Sequence, residues 1–285
     1  MLQAADLVFS YPGRPSARLG TTRSGVEGRA WVLRSVTMEV PADSFVGILG
    51  PNGSGKTTLL RALAGVVRPS SGKVLLDGRD LAGVPRQTLA RRMAVVPQET
   101  HLAFDYTVLE VVLMGRYPYL GTFQVEGPAD FAVARESLAA TGTLPFQDRA
   151  FDTLSGGEKQ RVILAAALAQ IAGADRDGIL LLDEPTVALD LAYQLELGSL
   201  LRELQRRRPM AIAVSTHDLN FAASLCRTLV LLKDGEVLAS GATEDVLTSH
   251  HIRLLYGVEA DVTRHPGTGR IVVVPLQRVP GGSRG

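Results

Sequence analysis

Gly50-Pro51-Asn52-Gly53-Ser54-Gly55-Lys56-Thr57 decides how the rest of the chain reads. The stretch fits G-x-x-x-x-G-K-[ST]. In that pattern, backbone N–H groups cradle phosphate oxygens, the lysine adds a point charge, and the hydroxyl of Thr57 is placed for Mg²⁺. Before it, Ser44-Phe45-Val46-Gly47-Ile48-Leu49 is an apolar run of strand length. After it, Thr57 to Ala64, with Thr58 near its start, has helical spacing and stops at Gly65. Strand, glycine-rich loop, helix is the setting in which N–H groups converge on an anion at a helix N-terminus. Lysine is scarce here. Lys56, Lys73, Lys159 and Lys233 are the whole supply, and the rest of the 30 basic residues are arginines. A plain glycine turn is the competing reading, and a lysine so rare argues against it. A dinucleotide fingerprint fits less well, because Thr58 stands where its third glycine belongs.

The chain has 285 residues, 46% of them hydrophobic and 21% charged, with a net charge of +1. It can bury a large core, in one or two domains. The longest apolar stretch, Val162 to Ala169, is far short of the ~20 residues of a membrane span. Asp6 interrupts the only apolar run near the start, so no signal peptide is expected. A single cysteine, Cys226, excludes an internal disulfide and fits a reducing compartment. Set in the helix-like run 221–226, it reads as a small buried filler. Arg206-Arg207-Arg208 ends an amphipathic helix, where cations suit the dipole, so nucleic acid is not an expected partner.

Strands are expected at 5–9, 31–49, 73–76, 94–96, 179–182 and 211–215. Helices are expected at 87–92, 107–116, 128–141, 155–171 and 191–207. Residues 12–30, rich in Gly, Arg, Ser and Thr, read as a surface loop. The end of the chain reads as a ribbon, 259–263 with 270–274, turning at Pro266-Gly267-Thr268-Gly269. Alternating strands and helices predict a parallel α/β sheet. The helical stretch from about 100 to 170 breaks the alternation and is expected to form its own subdomain.

Ile179-Leu180-Leu181-Leu182-Asp183-Glu184 is an apolar strand ending in two carboxylates. Ligands of parallel sheets gather at C-terminal strand ends. One carboxylate there, Asp183, can hold Mg²⁺ beside phosphates. The other, Glu184, can polarise an attacking water. A solvated acidic turn is the plain alternative. Ser155 and Glu158 are spaced as a capping box. A capped helix does not explain Gly156-Gly157 in its first turn, where each glycine costs about 1 kcal/mol of helix propensity. Bare backbone there suits a phosphate that must come close.

Leu154-Ser155-Gly156-Gly157-Glu158-Lys159-Gln160-Arg161 resembles the signature of ATP-binding cassette (ABC) ATPases. Asp183-Glu184-Pro185-Thr186 and Ala188-Leu189-Asp190 resemble that family's Walker B motif and D-loop, in the same order and spacing. Val95-Val96-Pro97-Gln98 is similar to the Q-loop, whose glutamine senses metal and water. Ser215-Thr216-His217-Asp218 is similar to the switch-histidine segment. The resemblance runs from residue 5 to about 258. It implies a P-loop NTPase (RecA-like) core with an antiparallel β subdomain and a helical signature subdomain. Residues 1–258 would form the ATP-binding domain and 259–285 a ribbon and tail. It implies ATP and Mg²⁺ as ligands. Gly50 through Thr58 would bind the phosphates, Thr57, Gln98 and Asp183 the metal, and Glu184, His217 and Gln98 would serve hydrolysis. Tyr11 matches the adenine-stacking aromatic, although the long loop to Trp31 leaves either ring open to that role and Tyr11 is favoured. Ser155, Gly156, Gly157 and Asp190 would complete the site of a second copy in a head-to-tail homodimer.

One cassette without membrane spans implies the separate ATP-binding subunit of a transporter at the cytoplasmic face of a bacterial membrane. Its partners would be permease subunits, with an extracytoplasmic binding protein acting through them. Residues 109–121 and 255–275 resemble the importers of metal chelates. Iron–siderophore is the first cargo, cobalamin or haem the next. The surface near residues 99–120 would contact the permease, with Arg116 and Tyr117 among the contacts. A soluble ABC ATPase working on nucleic acid or ribosomes is the alternative, which the missing basic patch disfavours.

Overall fold

The computed structural model describes residues 1–11, 31–100, 102–174, 178–187 and 190–279. The elements are β1 (Leu2–Ser10), β2 (Trp31–Val40), β3 (Phe45–Leu49), α1 (Lys56–Leu63), β4 (Ser71–Leu76), β5 (Arg79–Asp80), α2 (Arg86–Arg92) and β6 (Met93–Val96). The helices α3 (Val108–Leu113), α4 (Pro128–Ala140) and α5 (Gly156–Ile171) follow. Then come β7 (Gly178–Asp183), α6 (Leu191–Arg207), β8 (Met210–Thr216), α7 (Leu219–Leu225), β9 (Thr228–Lys233) and β10 (Glu236–Ala242). The chain closes with α8 (Thr243–Val246), α9 (Ser249–Tyr256), β11 (Val258–Arg264) and β12 (Ile271–Arg278).

The central sheet has the order β10-β9-β3-β8-β7-β6, parallel except for β10. Its strands are buried on both faces, and the side chains alternate between two cores. Phe45, Leu49, Leu180, Leu182, Ile212 and Val214 point into one, with α5, α6, α7 and α9. Val46, Ile48, Ile179, Leu181, Ala211 and Ala213 point into the other. That second core is closed by α1 and by an antiparallel sheet of order β2-β1-β4-β5. The continuous run Ile179–Leu182 is apolar because both of its faces are covered.

A third core lies among α3, α4 and the outer face of α5, built on Val108, Val112, Leu138, Val162 and Ala165. The opposite face of α5 (Leu164, Leu168, Ile171) belongs to the central core, so this helix carries the helical layer on the sheet. The ribbon β11–β12 is also seated, since Ala260 and Val273 are buried in the central core.

Three local expectations change. The run 31–49 is two strands, separated by a turn in which Asp43 has φ 49°. The helix expected over 107–116 ends as an α-helix at Leu113 and tightens into a 3₁₀ turn over Met114–Tyr119, which contains Pro118. A proline removes the N–H that the α-helical ladder would need. Residues 228–256, given no element in the sequence reading, supply two strands and two helices. The signal for the hairpin was present: Asp234-Gly235, with φ 50° and 82°, is the pair that a tight two-residue turn requires. The loop 12–30 and residues Ala188 and Leu189 lie outside the described residues.

Arg116 is the main correction to the expected docking surface. It does not face a partner. It is 7% exposed. Its Nε donates to Asp130 Oδ1 at 3.0 Å and its Nη1 to the Ala169 carbonyl at 2.7 Å. Its guanidinium lies 3.7 Å from the centroid of the Tyr119 ring. It is the polar joint between α4, α5 and the 3₁₀ turn. Arg116→Glu is therefore expected to destabilise the chain by about 3 kcal/mol or more, because it sets an anion beside Asp130 and the Ala169 carbonyl. Thermal or urea unfolding measures this. An unchanged midpoint would refute the joint.

Candidate active site

Four parallel strands deliver the site. The phosphate loop follows β3, Gln98 follows β6, Asp183 ends β7 with Glu184 next to it, and His217 follows β8. All leave the C-terminal edge of one sheet, as parallel topology requires. A cleft of about 410 Å³ opens there, lined by Val32, Asn52, Gly53, Gly55, Lys56, Thr57, Thr58, Gln98, Glu184, Val187 and His217.

The loop fits a phosphate. Gly53 and Gly55 sit at φ 81° and 104°, where a side chain would be strained. The N-terminus of α1 has no side-chain cap and no acidic residue in its first turn, so its N–H groups await an outside acceptor. Asp183 Oδ1 accepts from Thr57 Oγ1 at 3.1 Å and from Ser215 Oγ at 2.7 Å. A hydroxyl, a carboxylate and the nearby Gln98 amide form an all-oxygen donor set suited to Mg²⁺ next to phosphates. Gln98 also lines the adjacent cleft with Thr57 and Asp183.

Glu184 is the hub. It is a non-glycine residue at φ 45°, which costs of order 1 kcal/mol or more unless its surroundings enforce it. They do. Its N–H donates to the Ser215 carbonyl at 3.1 Å and lies 3.0 Å from Ser215 Oγ. Its Oε1 is 3.0 Å from Lys56 Nζ and its Oε2 is 2.8 Å from His217 Nδ1. Burial pushes the carboxyl's pKa up. Hydrogen bonds and charge from Lys56 and His217 outweigh this and hold it below the usual carboxylate value. Lys56, 4% exposed, also donates to the carbonyls of Gly50 at 2.8 Å and Pro51 at 3.1 Å. The lysine thus directs its charge to the loop and to Glu184.

The other sequence-predicted residues lie outside this cleft. Tyr11 stacks edge-on against Phe9, with centroids 4.8 Å apart, and its hydroxyl is 3.5 Å from Thr58 Oγ1. Tyr11 and Trp31 are not among the lining residues; Val32 is. Ser155, Gly156, Gly157 and Asp190 do not line it either. Ser155 caps α5: its Oγ accepts from Glu158 N at 3.3 Å, and Glu158 Oε2 accepts from Ser155 N at 2.8 Å. Asp190 caps α6, accepting from Tyr193 N at 3.0 Å.

The two signature glycines differ. A Cβ on Gly156 would meet nothing within 4 Å, which leaves its face open to an outside group. A Cβ on Gly157 would lie 2.4 Å from Tyr193 Cδ1. Gly157 is bare because Tyr193 packs on it. Arg161 lies 5.5 Å from the Tyr193 centroid and pairs with Glu196 at 2.6 Å. Tyr193 therefore ties the signature helix to the helix that follows Asp190. Sequence reasoning missed this residue, and no local pattern marks it.

The comparisons with known proteins agree with this geometry. Residues 33–187 match the family model described as ABC transporter. The hemin import ATP-binding protein HmuV of Gloeobacter violaceus is 44% identical over 248 residues, covering 86% of this chain and 89% of that one. The ferric enterobactin transport ATP-binding protein FepC of Escherichia coli is 38% identical over 251 residues, covering 88% and 91%. A solved transporter described as of metal-chelate type, in an inward-facing conformation, superposes with a TM-score of 0.76 at 28% identity, covering 96% of each chain. A phosphate loop facing a strand-end Asp-Glu pair, with similarity over most of the chain, leads to one conclusion: this protein belongs to the ABC transporter family, as one of its ATP-binding ATPases.

Proposed function

We propose that this chain powers an importer that carries a metal chelate across the cytoplasmic membrane. The observation that carries the reading is similarity over most of its length to ATP-binding proteins named for hemin and ferric enterobactin uptake. Haem is the first cargo to test, since the hemin protein has the higher identity, with ferric siderophore and cobalamin beside it. Among the described residues no helix is long and apolar enough to cross a membrane. Separate permease subunits are proposed to form the path, a reading supported by the likeness to ATP-binding proteins named for import and transport.

In this reading the loop N–H groups and Lys56 receive the β- and γ-phosphates, and Lys56 leaves Glu184 to do so. Mg²⁺, held by Thr57, Asp183 and Gln98, would neutralise phosphate charge. Glu184 then takes a proton from the attacking water, and His217, beside it, stabilises charge on the phosphoryl group. Ser155 and Gly156, remote from their own cleft, would meet the phosphate of a second copy. Tyr11 remains the proposed adenine partner.

Deleting the gene and measuring uptake of labelled haem, ferric siderophore and cobalamin tests the cargo. Normal uptake of all three would end the metal-chelate reading. The docking surface needs residues other than Arg116. Phe104 is 71% exposed and Tyr117 56%. Phe104→Ala with Tyr117→Ala is expected to lower uptake about tenfold, as loss of two exposed aromatic anchors does. ATP turnover of the isolated subunit should stay within about twofold of wild type, since both lie outside the cleft. Uptake at the wild-type level would move the docking surface elsewhere.

A further inference from the structure

The C-terminal ribbon lies outside the matched family segment, residues 33–187, yet it and the end of α9 that leads into it each make a contact with the segment that carries His217. The first comes from α7. Asn220 sits in the first turn of that helix, three residues after His217. Its Oδ1 accepts from the Val273 N–H at 2.9 Å, and its Nδ2 donates to the Val273 carbonyl at 3.1 Å. A side-chain amide thus pairs with both backbone groups of one strand residue, as a neighbouring strand would. Two bonds to one residue fix orientation as well as distance. The second contact comes from the last residue of α9, where Tyr256 OH donates to the His217 carbonyl at 3.5 Å.

The two contacts come from consecutive elements joined at Gly257. Gly257, at φ 65°, turns α9 directly into β11, and Val279 N–H closes the base of the ribbon on the Gly257 carbonyl. Val273 and Ala260 are 2% and 4% exposed in the central core. Pro275 removes a donor from β12, so the strand offers less edge for further pairing.

The switch segment needs such support. The His217 side chain is 51% exposed. Its Nδ1 meets Glu184 Oε2 at 2.8 Å, and with half the side chain exposed little packing holds the ring. The ring goes where its backbone puts it. Burial raises the Tyr256 pKa, and the charges of Glu184 and Asp218 raise it further. Its hydroxyl therefore stays protonated and able to donate, and it lies within electrostatic reach of the Glu184 carboxylate.

We infer that the β11–β12 ribbon positions His217 for ATP hydrolysis, with Asn220 and Tyr256 as the positioning residues. This rests on the role given to His217 under the proposed function. A ribbon that only stabilised the core would change unfolding and leave catalysis alone. A positioning ribbon changes kcat, and does so only while the histidine is present.

The test is a double-mutant cycle on the full chain, read as ATP turnover against ATP concentration. Asn220→Leu keeps the branched shape, with slightly greater bulk, and deletes both bonds. It is expected to lower kcat about fivefold, the size of a lost hydrogen-bond pair, with KM within about twofold. Tyr256→Phe should lower kcat about twofold. Asn220→Asp, which keeps the acceptor for Val273 N–H, should recover part of the loss. In a His217→Ala background, Asn220→Leu should lower turnover no further. The inference is overturned if Asn220→Leu turns over normally while His217→Ala is impaired, or if the two losses multiply. His217→Ala at wild-type turnover would instead remove the role of the histidine, and this inference with it. If Asn220→Leu does not fold, Tyr256→Phe, which deletes one hydroxyl, runs the same cycle.

Discussion

Glu184→Gln is expected to slow ATP hydrolysis about a thousandfold while nucleotide binding holds or tightens. The first half follows from chemistry, since an amide does not accept the proton of an attacking water. The second half follows from this structure. Glu184 Oε1 sits 3.0 Å from Lys56 Nζ, so the carboxylate competes with the γ-phosphate for the lysine. A neutral glutamine gives that charge up. The variant should therefore collect in an ATP-bound state, seen as a larger species on size-exclusion with MgATP. Rapid turnover by Glu184→Gln would show that another group activates the water.

Lys56→Ala should be as damaging for a different reason. The ammonium makes three contacts, to Gly50 O, Pro51 O and Glu184 Oε1. Removing it takes a point charge from the phosphate cradle and leaves a buried carboxylate without its nearest cation. ATP binding should weaken sharply and turnover fall about a thousandfold. Stability should shift as well. The Glu184 pKa is depressed below its ordinary 4.5, so its pairing stabilises the fold above that pH and is lost as pH falls toward the folded value. The lysine variant should show a smaller loss over the same acid range. Equilibrium nucleotide binding and acid unfolding of both proteins check the two halves. ATP turnover near the wild-type rate would dismiss the phosphate loop itself.

Much of the site was legible because its signals are short. The phosphate loop, the carboxylates ending an apolar strand and the Ser155–Glu158 cap each join residues a few positions apart. Local backbone bonding is written in local spacing. The strand faces were legible too: a run such as Ile179–Leu182 has one explanation in a parallel sheet, which is cover on both sides. Legibility failed where a residue type serves two purposes. Arg116, next to an aromatic at the end of an apolar helix, looks the same whether it meets a partner or a buried carboxylate. Gly157 looks the same whether a phosphate or a tyrosine ring needs its space.

The sequence by itself determined that this protein is an ABC-type ATPase, which loop is proposed to hold its phosphates, which carboxylates end the strand beside that loop, and where its longer helices begin. Tertiary structure alone decided which side chains meet across the fold. It brought Lys56 to Glu184, Tyr193 to Gly157, Arg116 to the Ala169 carbonyl 53 positions away, and Asn220 to Val273, also 53 positions away. The physical reason is the same each time. Secondary structure follows from bonds within one turn or one strand, whose period shows in the sequence. A contact between elements depends on how whole faces pack, and no period in the chain records it.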